Sequence, residues 1–424
     1  MHQQSKQDSR VLVALDIAKH KHDVLIEMPD GRRQQLAVRN CREDFDDLAL
    51  RLKSLNLPCV IGFEPTADYH RAIAYYLQVT GFEVRLLSSL AVARTREALH
   101  NTWDKNDPKD AQVMVHLLRN NISTVFHDPV LRGNNDLQEL SNSHFQISLK
   151  KTKLQHSILN HYLPIYFPEA EKFFGASRAG WFGRLLSTYP TPAAVVAVDK
   201  DSFVNEARAL LSKKQGKGEI LGDFYDCAKA SIGVPVALES DTVRMFRMML
   251  DEHLRLCQKR DELEKIAHKK LKDDRSYQIL RTVPGIGPII ALTILAEAGD
   301  LRRFRHEKQF LKFCGLDLST QQSGMFRGRS SISKRGNARL RSALWIASTV
   351  ALRLRENTFR DKFNRYVKAD PTNSDLKRRA YTAVTAKLAR VIFKLIKEQT
   401  IYRPFYEPVL TGRTRSYRAV EAVS

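Results

Sequence analysis

Residues 11–17 of this chain read VLVALDI, a short apolar run rich in β-branched side chains and interrupted by one carboxylate. Such a run predicts a buried β-strand. Residues 22–28 (HDVLIEM) and 34–39 (QQLAVR) have the same character, and Asp30-Gly31 between them is a typical hairpin signal. The chain is therefore predicted to open with three consecutive antiparallel strands.

Helices and strands then alternate as far as residue 119. The hydrophobic pattern predicts helices near 43–55, 68–79, 90–99 and 108–119, and strands at 58–63 and 82–88. The order βββαβαβα, with the last two helices counted together, is that of a ribonuclease-H-like fold, in which the first and fourth strands are neighbours. Periodicity alone supports only a mixed α/β domain.

The remainder is predicted to be mainly helical. Leu140, Ile147 and Leu154 step by seven within residues 135–165, and residues 241–272 repeat this pattern less regularly. These two segments are compatible with an antiparallel hairpin or an oligomerisation coil, and equally with an ordinary helical subdomain. The predicted layout is an α/β domain at 10–130, a helical or coiled-coil connector at 131–277, a mainly α domain at 278–400 and a tail at 401–424.

Basic residues are concentrated in the last part of the chain. The 424 residues have a formal net charge of +22, and residues 301–424 contribute +19 of it. This charge favours a nucleic acid as the partner, with a solvated basic surface or an anionic membrane as alternatives. No CxxC pair and no run of about 20 apolar residues is present. A zinc site, a disulfide framework and a membrane helix are thereby disfavoured, and a cytoplasmic location is expected.

Four carboxylates are candidates for a metal centre. Asp16 lies within the first strand, Glu64 ends the fourth, and Asp107 and Asp110 are three apart at the start of a helix. Brought into one cleft they would repel one another unless a divalent cation, Mg²⁺ by preference, held them. The alternative is that they are turn formers and caps, since Asp107, Pro108 and Asp110 also fit the first positions of a helix.

The basic end contains two further candidate sites. Ser323 lies in the Gly-flanked loop QQSGMFRGRSSISKRGNARLR, residues 321–341. A serine there is a candidate nucleophile, although spacing alone favours one loop serine among many, without a catalytic role. Gly285 and Gly287 form a Gly-x-Gly turn before an apolar helix, which either binds a phosphate or is simply a tight turn. The candidate cationic contacts to nucleic acid in the loop are Arg327, Arg329, Lys334 and Arg335.

Six segments together resemble one family. ALDIAK (14–19), GFEPTADYH (62–70) and NDPKDA (106–111) are similar to the acidic blocks of DEDD-type transposases of the IS110 insertion-sequence family, whose relatives include the Piv-type DNA invertases. VPGIGPIIA (283–291), KFCGLDLSTQQSG (312–324) and SISKRGNARLR (331–341) are similar to its C-terminal transposase domain. The resemblance covers about 11–120 and 278–360.

This resemblance implies a function. The first domain would be RuvC-like, with Asp16, Glu64, Asp107 and Asp110 around Mg²⁺, and Ser323 would form a transient covalent link to DNA. The protein would be a nucleoid-associated bacterial recombinase that acts on element ends and target DNA. It would act as a homo-oligomer, a dimer or tetramer, and be guided by a bridge non-coding RNA that pairs with DNA.

One departure from the family pattern leaves other serines open. Many relatives have Ser-Ser-Gly where this chain has a single Ser323 before Gly324, so Ser319, Ser330 and Ser331 remain further candidates. Two other functions also remain open. One is a RuvC-like structure-specific nuclease that uses water and no serine, and the other is a nucleic-acid-binding protein without catalysis.

Overall fold

A computed structural model of the chain describes residues 9–100, 107–174, 180–211, 218–319, 322–323, 326–327, 331–354, 357–403, 407–411 and 414–418. Contacts between residues divide the chain into two units, residues 1–135 and 136–424. All five cysteines are free thiols. None of the described helices is long and apolar enough to cross a membrane.

The first unit is built on a six-stranded sheet. Its strands are β1 (Val11–Asp16), β2 (Lys21–Glu27), β3 (Arg33–Arg39), β4 (Cys59–Phe63), β5 (Glu83–Leu86) and β6 (Thr124–Val125). Its helices are α1 (Arg42–Ser54), α2 (His70–Val79), α3 (Ser89–His100) and α4 (Asp107–Arg119). The predicted elements are confirmed to within about two residues at each end, and β6 is an addition.

The sheet has the strand order β3-β2-β1-β4-β5-β6. The first three strands are antiparallel, β4 is parallel to β1, and β5 is parallel to β4. The turn between β2 and β3 places Gly31 at a φ of +86°, which a glycine adopts without strain. The predicted hairpin and the predicted neighbourhood of the first and fourth strands are both confirmed.

Apolar side chains cover both faces of this sheet. Phe45 and Leu48 of α1 and Ile73 and Leu77 of α2 pack on one face. Leu12, Ala14 and Val60 form the other core with side chains of α3 and α4. Successive side chains on a strand point to opposite faces, so alternate residues of β1 belong to the two different cores.

The second unit is almost entirely helical. After α5 (Asn135–Ser157) come a π-helical turn (Ile158–Tyr162) and the short helices α6 (Leu163–Tyr166) and α7 (Glu171–Phe174), separated by a 3₁₀ turn (Pro168–Ala170). The helices α8 (Gly180–Thr188), α9 (Pro192–Val196), α10 (Lys200–Leu210), α11 (Gly218–Lys229) and α12 (Asp241–Leu271) follow. Residues 165–240, in which the sequence shows no motif, thus contain short helices around an aromatic-rich core.

A second helical core lies towards the C-terminal end of the chain. It is formed by α13 (Arg275–Arg281), α14 (Pro288–Ala298), a 3₁₀ turn (Leu301–Arg303), α15 (Glu307–Cys314), α16 (Ala338–Ala351), α17 (Thr358–Val367) and α18 (Ser374–Glu398). Between α15 and α16 lie four two-residue strands: β7 (Leu318–Ser319), β8 (Gln322–Ser323), β9 (Phe326–Arg327) and β10 (Ser331–Ile332). A hairpin, β11 (Glu407–Thr411) and β12 (Thr414–Arg418), follows α18.

The two heptad-bearing helices contact each other in the antiparallel sense. His144 of α5 lies 3.2 Å from Glu264 of α12, whereas Asp136, near the start of α5, is paired with Lys270 near the end of α12. The division of residues 131–400 into a connector and a C-terminal domain, and the oligomeric role of this helix pair, stay predictions.

Candidate active site

Asp16 and Glu64 follow paired residues at the carboxyl ends of two neighbouring parallel strands. In the pairing of β1 with β4, Leu15 lies opposite Phe63, so the next residue on each strand is one of the two carboxylates. Both residues are partly buried. Because both strands run in the same direction, these carboxylates belong to one edge of the sheet.

The direction of α4 brings its first turn towards the same edge. Arg119, the last residue of α4, forms an ion pair with Glu27. Glu27 lies opposite Leu12, near the start of β1. The helix therefore runs antiparallel to β1, and Asp107 and Asp110 belong to the end of α4 that is nearer to the carboxyl ends of β1 and β4.

The same helix covers the sheet face to which Asp16 belongs. A Cβ atom at Gly62 would lie 2.6 Å from Cδ2 of Leu118, so α4 approaches β4 at a distance that only a glycine allows without rearrangement. Side chains two residues apart on a strand share a face. Asp16 therefore shares the face of Leu12 and Ala14, whose side chains pack with those of α4.

Asp110 is buried and paired with an arginine. It is 5% exposed, and its Oδ1 accepts a hydrogen bond from Nε of Arg96 on α3. A buried carboxylate requires such a partner, because desolvating it alone costs much free energy. The sequence gives no signal for Arg96, since a single arginine 14 residues before Asp110 belongs to no motif or period.

The donor set suits a divalent cation, although no formed metal centre is present in the described part of the chain. Carboxylate oxygens from β1, the end of β4 and α4 are ligands of the kind that Mg²⁺ prefers. Among the described side chains, no three His, Cys, Asp or Glu residues are close enough to hold a metal ion. The side chain of Asp107 lies outside the described residues, and Arg96 engages Asp110. The acidic tetrad stays a prediction.

The loop that carries Ser323 begins and ends in a pair of short strands. Ser319 of β7 lies opposite Ser331 of β10, and within this frame Ser323 of β8 lies opposite Phe326 of β9. The segment predicted as a loop therefore contains two small antiparallel pairs. Outside the described residues lie the side chains of Ser323 and Arg327 and the whole of Arg329 and Ser330.

The base of this hairpin is joined closely to the neighbouring helices. Gly315 ends α15 with a φ of +67°, and its carbonyl accepts a hydrogen bond of 3.2 Å from the backbone N–H of Lys334. A Cβ atom at Gly336 would lie 2.5 Å from the carbonyl oxygen of Phe313. Lys334 and Arg335 are exposed between these contacts, so their charges are available to a polyanion.

A cavity of about 490 Å³ on α15 adds cationic residues that the sequence reasoning did not single out. Lys312 of this cavity precedes the turn at Gly315, and its carbonyl oxygen would be 2.8 Å from a Cβ atom at Gly336. Lys312 begins the family-like segment 312–324, whereas the other lining residues have no signal in the sequence beyond the basic character of residues 301–424. The cavity is lined by Arg305, His306, Lys308, Gln309 and Lys312.

The two glycines of the PGIG turn have different surroundings. Gly285 has a φ of +84°, and a Cβ atom there would lie 2.1 Å from the carbonyl oxygen of Ala347 on α16. Gly287 is the N-cap of α14, and a Cβ atom there would meet nothing within 4 Å. It lines a largely apolar cavity of about 1080 Å³ among α5, α12, α14 and α16. Close packing explains Gly285, and a phosphate-binding role for either glycine stays a prediction.

Two family models match this chain. The model of the transposase family IS116/IS110/IS902 matches residues 277–364. A second model, described as a transposase and covering the DEDD transposases of IS110, matches residues 13–168. The first of these ranges contains the hairpin of Ser323, and the second contains β1, β4 and α4 with their carboxylates.

Individual relatives agree with the family models. A probable family 20 transposase of Pseudomonas aeruginosa is 31% identical over 40% of this chain and 50% of its own length. The transposase of insertion sequence element IS1111A of Coxiella burnetii is 28% identical over 48% of this chain and 56% of its own. The chain thus spans about half the length of these two relatives. An uncharacterized protein of insertion element IS110 of Streptomyces coelicolor is 23% identical over 93% of this chain and 96% of its own.

Proposed function

Because this chain belongs to the IS116/IS110/IS902 family of transposases, we propose that it is the DNA transposase of an insertion sequence, a recombinase that cuts and rejoins DNA strands. The proposal rests on one observation: each of the two segments that match a family model contains one of the two candidate catalytic groups. The segment from 13 to 168 bears the carboxylates at the strand ends, and the segment from 277 to 364 bears the serine hairpin. The net charge of +22 supports a nucleic acid as the substrate.

In this proposal the first unit is a RuvC-like catalytic domain. Its support is the strand order β3-β2-β1-β4-β5-β6, with carboxylates at the ends of β1 and β4. Asp16, Glu64, Asp107 and Asp110 would hold a divalent cation, for which Mg²⁺ suits the oxygen donors best. When bound, such a cation stabilises the negative charge that develops on a phosphodiester during cleavage.

Ser323 is the proposed nucleophile of the second unit. Its Oγ forms a bond to phosphorus while one P–O bond of the DNA backbone breaks. The departing DNA oxygen becomes a hydroxyl, and its proton balances the one that the serine loses. The serine–phosphate ester conserves the energy of the broken bond, so rejoining needs no nucleotide. The sequence agrees, since it contains no GxxxxGK[ST] motif.

The proposed partners are nucleic acids and further copies of the chain. Element ends and target DNA would contact the basic second unit, where Lys334 and Arg335 are exposed. Arg327 and Arg329 would add cationic contacts, and the turn at Gly285 and Gly287 is a further candidate. A bridge RNA would supply base pairing, and a homo-oligomer would form, for which the antiparallel pair of α5 and α12 is the candidate interface. The site of action would be the nucleoid.

A covalent protein–DNA adduct tests this proposal directly. Purified protein with Mg²⁺, copurifying RNA and DNA flanking the element is resolved on a denaturing gel beside Ser323→Ala and Asp16→Asn. We expect an adduct in the wild type and none in either variant, because each removes one half of the proposed chemistry. Ser331→Ala, at the paired base of the same hairpin, is the matched control and should retain the adduct.

Other patterns would identify other mechanisms. Cleaved DNA without any adduct would replace the proposal by a hydrolytic nuclease of the same fold. An adduct that survives in Ser323→Ala and disappears in Ser331→Ala would move the nucleophile along the hairpin. DNA binding with no processing and no response to Mg²⁺, on substrate that a related transposase cleaves, would leave a binding protein.

A further inference from the structure

We propose that Arg96 is a positioning residue of the metal centre, which holds one oxygen of Asp110 so that the other oxygen is presented to the cation. This inference rests on the metal centre proposed above and adds a residue to it. Arg96 belongs to α3, one helix before the element that carries Asp110, and no motif of the family resemblance includes it.

The contact between the two side chains has the geometry that this role requires. Nε of Arg96 donates to Oδ1 of Asp110, and the ion pair is formed by the same two atoms. An ionised carboxylate has two oxygens and about four acceptor sites. The arginine contact through Oδ1 therefore still allows Asp110 to bind a cation through Oδ2.

The burial of this pair indicates a role beyond general stability. The side chains of Arg96 and Asp110 are 16% and 8% exposed. Two apolar side chains of similar volume often stabilise a fold as well as a buried ion pair does, so such a pair is a poor device for stability alone. Its effect is to fix one carboxylate in one orientation, at the end of α4 that faces the carboxylate edge of the sheet.

The hydrogen bond from Arg96 holds Asp110 in one orientation before a cation arrives. Carboxylates that bind metals are usually held by a hydrogen-bond partner of this kind, and loss of the partner typically lowers metal affinity about 10- to 100-fold. We expect a loss of that size when Arg96 is removed.

The same helix supplies a matched control. Arg94 lies two residues before Arg96 and forms an ion pair with Glu97, whose side chain is 39% exposed, while that of Arg94 is 71% exposed. Arg94→Met therefore removes the same charge from the same helix without touching Asp110. Its effect on a cation at the sheet edge should be small, because exposed charges are screened by solvent and salt.

The experiment measures the binding of Mn²⁺ alone to DNA-free protein by electron paramagnetic resonance. It compares wild type, Arg96→Met, Arg96→Lys, Arg94→Met, Asp16→Asn and Asp110→Asn, each checked for folding by circular dichroism. We expect Arg96→Met to lose about 10-fold or more in affinity, Arg96→Lys to lose less, and Arg94→Met to match the wild type. If Arg96→Met fails to fold, a several-fold loss in Arg96→Lys carries the same meaning.

Two results would overturn the inference, and they are distinguishable. Mn²⁺ affinity that is unchanged or higher in both Arg96 variants, with binding lost in Asp16→Asn, would leave the metal centre and remove Arg96 from it. Wild-type binding that responds neither to Asp16→Asn nor to Asp110→Asn would remove the metal centre itself, and the role of Arg96 with it.

Discussion

Gly285 and Gly287 lie in one turn, but the surroundings restrict the residue type differently at the two positions. The backbone of Gly285 lies in the left-handed region, and the carbonyl of Ala347 occupies the place of a Cβ atom. The backbone of Gly287 is extended at a φ of −81°, with open space beside it. A phosphate-binding turn would use the backbone N–H groups at both positions. The packing against Ala347, in contrast, restricts only position 285 to glycine.

Gly285→Ala should lower the free energy of unfolding by about 2–4 kcal/mol, because it combines a strained φ with a backbone clash. Gly287→Ala should cost at most about 1 kcal/mol, since alanine is merely a poorer N-cap than glycine. Urea unfolding of both variants beside the wild type measures the difference. Equal losses at the two positions would contradict the packing explanation of Gly285.

The sequence predicts the positions of some candidate site residues but not the side chains that pair with them. The positions of Asp16 and Glu64 follow from the strand pattern, because parallel neighbours end at the same edge. The partner of Asp110 does not follow, because Arg96 reaches it through the packing of α3 against α4 and not through any spacing along the chain. Side-chain pairs of this kind become visible only with the fold.

At the scale of elements, α12 contains a histidine that is buried in its neutral form. His253 is 6% exposed, and within the described residues its Nε2 has no hydrogen-bond partner. Burial, with the nearby charges of Lys151 and Arg260, lowers the pKa of His253 to about 4. Protonation therefore favours the unfolded chain, in which the histidine has its ordinary pKa of about 6.5.

The stability of the second unit should therefore fall as the pH decreases from about 6.5 towards 4, and should be fully present above that window. Between pH 7 and pH 5 we expect a loss of about 1–2 kcal/mol from this one group. Urea unfolding of the wild type and of His253→Gln at both pH values measures it. Between the two pH values, the free energy of unfolding of His253→Gln should fall by less than that of the wild type, and the difference should be the contribution of this one group. His161→Gln, at an exposed position, should behave as the wild type does.

Elements with a long hydrophobic period could be predicted, and short ones could not. The strands β1 to β5 and the long helices α5 and α18 have hydrophobic patterns that recur along them, and α12 has such a pattern less regularly. The helices α7 to α11 are only 4–12 residues long, and their aromatic core draws a few side chains from each. The helix α17 buries only two residues, Phe359 and Val367, so its hydrophobic pattern is weak.

At the scale of the whole molecule, the uneven charge predicts how binding to nucleic acid depends on salt. The first 150 residues have no net charge, and residues 301–424 have +19. Each cation that contacts a phosphate releases condensed counterions, so affinity falls steeply as salt rises. Contacts made by the second unit should dominate this dependence.

Replacing Lys308 and Lys312 together by glutamine should weaken DNA binding and lower the slope of log affinity against log salt by about 2, one for each lost phosphate contact. Fluorescence anisotropy with labelled DNA over a range of salt concentrations measures the slope. Arg51→Gln with Lys53→Gln, at exposed positions of α1, removes the same charge from the first unit. An equal change of slope in that control would mean that only overall charge matters.

The pairing of Ser319 with Ser331 has a consequence for protein engineering. The chain enters and leaves the serine segment at two facing residues, whose strands are joined to α15 and α16 through Gly315 and Gly336. Leu311 of α15 and Leu340 of α16, on either side of this segment, both belong to the helical core. Doubling the length of a loop costs only about 0.6 kcal/mol in closure entropy. We therefore expect that residues 320–330 can be replaced by the corresponding segment of a relative, as a cassette with Ser319 and Ser331 as the splice points.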